Sequence, residues 1–148
     1  MVVSGSGAID VRLPVFTSGE VQALILTTTA GAKHLLQHRV PDSVEVRAIR
    51  PSAGAIPASA ILESLCRARP GKLILVEGGP RLLGDFYAER LIDEQFLTLA
   101  PQIAGRDTTD RQISLVMGKS FALGDARWGS LIDVRRGSNH LFLRYAFP

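Results

Sequence analysis

A single cysteine, Cys66, means that no disulfide can form within this chain. No apolar run approaches the roughly 20 residues that a membrane-spanning helix needs. The start, Met1-Val2-Val3-Ser4, lacks the basic residues and apolar stretch of a secretion signal, so a soluble, cytoplasmic protein is expected. There is no internal repeat and no low-complexity segment. Basic residues are scattered rather than interleaved with aromatics, which argues against a nucleic-acid surface. No Gly-x-Ser-x-Gly elbow is present, which removes a hydrolase of that type. Gly5-x-Gly7 lacks the third glycine and the following helix of a dinucleotide fingerprint, which removes a Rossmann domain. His34 and His38 sit four apart with no third ligand nearby, so they read as a solvated helix surface and no metal is expected. His140 sits at a hairpin and carries no triad context.

What is there suits one globular domain. The chain has 148 residues, 46% of them hydrophobic, so a buried core is expected. The net charge of +3 is mild and compatible with a small phosphorylated ligand. A strand under way at Met1 runs into the turn Ser4-Gly5-Ser6-Gly7, followed by a loop or short extension over residues 8–19. Residues 21–28 are built around the apolar run Ala23-Leu24-Ile25-Leu26, the mark of a strand buried on both faces. Residues 30–38 predict a short helix with Leu35 and Leu36 inward, and residues 44–49 alternate as a strand. Residues 57–67 predict a helix whose apolar face holds Ile61, Leu62, Leu65 and Cys66 as core.

Residues 72–77, with Leu73-Ile74-Leu75-Val76, predict a second fully buried strand. A helix over residues 80–89 turns Leu82, Leu83 and Phe86 inward, and residues 95–100 form a strand. The last third reads as a hairpin, residues 128–136 and 140–147, with Trp128, Leu131 and Phe142 packing on it. Strands alternating with helices predict an α/β fold, with a mostly parallel central sheet flanked by helices and an antiparallel C-terminal hairpin.

The most informative stretch is Leu75-Val76-Glu77-Gly78-Gly79-Pro80-Arg81-Leu82-Leu83. Two glycines turn the chain and a proline opens a helix, whose start would aim unpaired N–H groups at open space. That geometry suits a diphosphate, and equally suits a tight turn with no ligand. Glu77 either caps the helix or faces a cleft, and the end of a buried strand favours the cleft.

Val76-Glu77-Gly78-Gly79-Pro80-x-Leu82-Leu83-Gly84, followed by Leu91-Ile92-Asp93-Glu94-x-x-Leu97-x-Leu99-Ala100-Pro101-x-x-Ala104-Gly105, resembles the reductase domain of the bifunctional riboflavin-synthesis deaminase/reductase family and its stand-alone pyrimidine reductase relatives. Val2-Val3-Ser4-Gly5-Ser6-Gly7-x-Ile9-Asp10 and Leu13-Pro14-Val15-Phe16 resemble it too, and the resemblance is weakest over residues 106–127. The resemblance implies a dihydrofolate-reductase-like fold and NADPH as cofactor. It implies that Gly78, Gly79, Pro80, Arg81, Leu82, Leu83 and Gly84 hold the NADPH diphosphate, and that Ser4, Gly5 and Ser6 lie near its 2′-phosphate. Glu77 would face the substrate, an aminopyrimidine ribosyl phosphate reduced to its ribityl form.

In that family a strand, a helix and a strand carrying Gly and Thr near the nicotinamide precede the stretch that matches Met1. The expectation is therefore one domain over residues 1–148, truncated at its N-terminus, with no catalytic residue assigned. The expected partners are the substrate and either a second copy in a homodimer or a separate N-terminal segment. A non-catalytic nucleotide-binding or assembly module that has lost the substrate pocket is the rival reading.

Overall fold

The computed structural model describes residues 1–148 except 53, 72, 104 and 106–113. It divides into two compact units, Met1–Ile74 and Leu75–Pro148.

The first unit is built on a parallel sheet of β1 (Val2–Ser4), β2 (Ala23–Thr27) and β3 (Val44–Ala48), in the order β1-β2-β3. Val3 lies opposite Leu26, and Ile25 opposite Val46. β2 is central, which is why its apolar run needs no alternation: Leu24, Ile25 and Leu26 are all buried. Ile25 packs with Val11, Phe16, Leu35 and Val44. Burying a side chain of that size contributes about 1.5–3 kcal/mol. Phe16 reaches this core from α1 (Pro14–Thr17), a single helical turn inside a stretch expected to be a loop or short extension. Leu35 reaches it from α2 (Thr29–Leu35).

α2 stops short of the expected residue 38, so Leu36 falls at its C-cap and is 68% exposed rather than inward. α3 (Ala58–Ala68) buries Ala58 and Ile61. Cys66 is exposed, contrary to its expected place in the core. It sits five positions beyond Ile61, about 500° around a helix, whereas 360° would restore the same face.

The expected strand at 72–77 is absent: residues 73–79 carry no regular element, and Lys72 lies outside the described residues. Leu73 is 91% exposed and Leu75 73%. An apolar run becomes a strand only where a neighbour pairs its N–H and C=O groups, and no described strand pairs with this one.

The second unit holds α4 (Pro80–Ala88) and an antiparallel sheet of β4 (Glu94–Leu99), β5 (Ser130–Gly137) and β6 (His140–Ala146), in the order β4-β6-β5. The expected hairpin is there, turned by Ser138 in the left-handed region at φ 51°. A bulge falls between Leu131 and Asp133. Strand alternation sorts the side chains onto two faces. One carries the Glu94–Arg144 and Asp133–Arg135 ion pairs together with the exposed Phe96 and Phe142. The other carries Leu97, Leu99, Leu131, Val134, Leu141 and Leu143, of which four are exposed. Trp128 is 81% exposed and does not pack on the hairpin. The α/β class holds, with the parallel strands in one sheet and the hairpin in the other.

Candidate functional site

The turn after β1 is shaped by backbone packing. Gly7 has φ 68°, and a Cβ there would lie 2.2 Å from the carbonyl oxygen of Gly31 in α2. A Cβ on Gly31 would lie 2.0 Å from Thr27 Oγ1 and 2.9 Å from both Gly5 O and Gly7 N. Neither position admits a side chain, so two glycines let the turn lie directly on the helix. The N–H of Gly7 donates to Ser4 Oγ and that of Ala8 to Ser6 Oγ, each at 3.2 Å. A hydroxyl that accepts from the backbone keeps its own proton to give away. Ser4, Gly5 and Ser6 thus present two hydroxyl donors beside an exposed glycine. This is a donor set that fits a phosphate group.

Three residues of this neighbourhood were not foreseen. Thr28 caps α2 by accepting the Gly31 N–H at 3.0 Å, and its hydroxyl donates to Gly5 O at 2.8 Å. Gly31 makes the close approach possible. Thr27 is fully buried, and its Oγ1 has no hydrogen-bond partner. The run Thr27-Thr28-Thr29 at a strand-to-helix junction was the available signal, since a hydroxyl residue before a helix is a cap.

The second place is the start of α4. Gly79 is its N-cap, with extended backbone and no side-chain cap, and Pro80 fits the first turn because it has no N–H to satisfy. Leu83 N–H donates to Gly79 O at 3.0 Å, the first bond of the helix. The N–H groups of Gly79, Arg81 and Leu82 find no acceptor among the described residues. A Cβ built on Gly79 meets nothing within 4 Å, so the space in front of these donors is open. No acidic residue lies in the first turn, and Arg81 is exposed there without an ion pair among the described residues. A cation at a helix N-terminus opposes the macrodipole, and an anion bound there relieves both. The arrangement fits a diphosphate.

The other expected residues divide by location. Leu82 is half-buried, and its side chain leans against Gly78, where a Cβ would lie 2.4 Å from Cδ2. Gly84 is buried against Met117, whose carbonyl a Cβ would meet at 2.7 Å. Met117 N–H also donates to Pro80 O at 3.0 Å, and Lys119 pairs with Asp85 at 3.1 Å. Residues 116–119 therefore brace the helix from one side. Glu77 is exposed and has no hydrogen bond or ion pair among the described residues, so it does not cap α4.

A cavity of about 140 Å³ lies elsewhere in this unit, lined by Tyr87, Arg90, Ile92, Arg127, Trp128 and Phe147. Its polar groups are engaged. Tyr87 donates to Gln95 Oε1 at 2.5 Å, and burial pushes its phenol pKa up. Arg127 donates to Tyr87 O, Ala88 O and Asp125. His34 and His38 touch edge to face at 5.9 Å, and among the described residues no three His, Cys, Asp or Glu converge as a metal site would need.

Comparison with known proteins adds the following. The family described as RibD C-terminal domain matches residues 1–127. The fold resembles RibD of Acinetobacter baumannii (form 2), with a TM-score of 0.73 at 18% identity over 99% of this chain. It resembles a pyrimidine reductase-like protein of Corynebacterium diphtheriae equally, with a TM-score of 0.72 at 22% identity over 99% of this chain. This chain spans 36% of the first and 59% of the second. No curated protein matched.

Proposed function

The chain belongs to the RibD C-terminal domain family, and we propose that it is an NADPH-dependent reductase of riboflavin synthesis acting on an aminopyrimidine ribosyl phosphate. The observation that carries this reading is the open, uncapped start of α4 at Gly79, with Arg81 beside it. In the second unit the N–H groups of Gly79, Arg81 and Leu82 would hold a diphosphate, and in the first unit Ser4 and Ser6 would hold a 2′-phosphate. Bound NADPH would supply the hydride that converts the ribosyl carbon to the ribityl form. Glu77, which starts the approach to the same helix and has no partner among the described residues, would hydrogen-bond a hydroxyl or amino group of the substrate. The protein's contribution is mostly positional.

The test is a titration with NADPH and, in parallel, NADH. Saturable binding with NADPH preferred supports the reading, and no binding of either ends it. A second reading, a nucleotide-binding or assembly module without turnover, draws on the exposure of Leu73 and Leu75. It expects NADPH to bind without being oxidised when substrate is added. The exposed apolar face of the β4-β6-β5 sheet supports a homodimer, which light scattering tests: a monomer at working concentration removes it.

A further inference from the structure

We propose that Thr28 is a positioning residue for NADPH selectivity: its hydroxyl fixes the Gly5–Ser6 peptide so that the Ser6 N–H faces out to the 2′-phosphate. The proposal rests on the cofactor reading above and adds to it a residue that touches no ligand. Thr28 Oγ1 uses its lone pair on the Gly31 N–H, at 3.0 Å, and its single proton on Gly5 O, at 2.8 Å. The carbonyl of Gly5 is therefore turned in toward α2. The peptide is trans, so the N–H of Ser6 points the opposite way. That N–H finds no acceptor among the described residues, and Ser6 is exposed. Both neighbouring hydroxyls, Ser4 and Ser6, accept from the backbone and keep their protons for a ligand.

The packing beneath explains why one hydroxyl can set the orientation. Gly7 and Gly31 are in backbone contact with no room for a Cβ on either, so the turn has a rigid floor. Thr27 Oγ1, beside Gly31, is fully buried and makes no hydrogen bond, so it does not hold the turn. Thr28 is the one side chain that hydrogen-bonds across from the β2–α2 junction to the Ser4–Gly7 turn among the described residues. Without its donated proton, the Gly5–Ser6 peptide can rotate and the Ser6 N–H is no longer held outward.

The experiment compares NADPH and NADH affinities in the parent protein, Thr28→Val and Thr28→Ser, with melting temperatures alongside. NADH lacks the 2′-phosphate, so it reports everything except the turn. Thr28→Val should weaken NADPH binding by roughly tenfold, the scale of one hydrogen bond to a charged group, with NADH nearly unchanged. Thr28→Ser keeps the hydroxyl and should keep the preference. A merely structural role would weaken both cofactors together or lower only the melting temperature, and either result overturns the proposal. A parent protein that binds NADPH and NADH alike refutes the cofactor reading itself, and the role of Thr28 with it. If Thr28→Val does not fold, the parent protein decides through the Ser6 amide resonance. It should shift on adding adenosine 2′-phosphate and not on adding adenosine, and an unmoved Ser6 amide overturns the proposal.

Discussion

Gly79→Asp should separate stability from binding, because the two effects have opposite signs. The backbone at Gly79 is extended, with φ −69°, which any residue adopts, and a Cβ there meets nothing within 4 Å. Aspartate is among the best N-cap residues, better than glycine by a few tenths of a kcal/mol. Its carboxylate also complements the macrodipole and the exposed Arg81. The mutant should therefore melt at the parent temperature or slightly above it. The same carboxylate would stand within about 5 Å of a bound diphosphate. Two unit charges at that distance repel by about 3 kcal/mol at an effective dielectric constant of 20, and by less where water enters. It also takes one of the N–H groups that the diphosphate needs. An affinity loss of about 10- to 100-fold is expected for NADPH and NADH alike, since both carry the diphosphate. Fluorescence titration measures the affinities and calorimetry the melting temperature. Gly79→Ala, which adds no charge, should bind nearly as the parent does. A folded Gly79→Asp protein with unchanged NADPH affinity would remove the start of α4 as the diphosphate site.

Three further outcomes follow from single side chains. Glu77→Gln should leave melting temperature and NADPH affinity unchanged, because the residue is exposed and has no partner among the described residues, while turnover or substrate affinity drops; unaltered turnover would remove Glu77 from the site. Thr27→Val removes a fully buried hydroxyl that has no partner and should raise stability by about 1 kcal/mol, a gain of a few degrees by calorimetry. A lower melting temperature would mean that the hydroxyl has a partner after all. The Arg144 fork on Glu94, at 2.8 and 2.6 Å, holds that carboxyl below its usual 4.5, so the stability it adds is present at neutral pH and is lost as pH falls below about 4.5 and through the lowered value. Glu94→Gln should flatten that part of the acid limb in pH-dependent denaturation, and an unchanged limb would show that the fork adds nothing.

The parallel sheet was legible because one strand announced itself. Ala23-Leu24-Ile25-Leu26 lacks alternation, and only a strand covered on both faces can bear that. The same rule misread Leu73-Ile74-Leu75-Val76, which has the pattern but pairs with no strand among the described residues. Pattern reports what a segment would do with partners, and says nothing about whether partners exist. Cys66 and Leu36 were misplaced for a simpler reason: each was assigned to an inward face that the helix, by its phase or its early end, does not give it. The start of α4 was legible because Gly-Gly-Pro fixes both a turn and a helix origin locally. Thr28 was not, because its acceptor, Gly5, lies 23 residues away in sequence and becomes its neighbour only when β1 pairs with β2.

The two anion-binding places differ in kind, and that difference makes the whole reading separable by experiment. The start of α4 offers N–H groups and a partial positive charge, which attract any phosphate and distinguish none. The turn at Ser4–Gly7 offers hydroxyls and one outward N–H, donors that only a cofactor with a third phosphate can use. Affinity should therefore rest on Gly79 and its helix, and selectivity on Thr28 and its turn. The two sets share no hydrogen-bond partner among the described residues. If the two places act independently, their effects on binding add to within about 0.5 kcal/mol. The double mutant Gly79→Asp, Thr28→Val should lose the product of the two single losses for NADPH, and only the Gly79→Asp loss for NADH. If the double mutant binds NADPH no worse than Gly79→Asp alone, the turn contributes nothing once the diphosphate is lost, and affinity and selectivity are not divided between these two places.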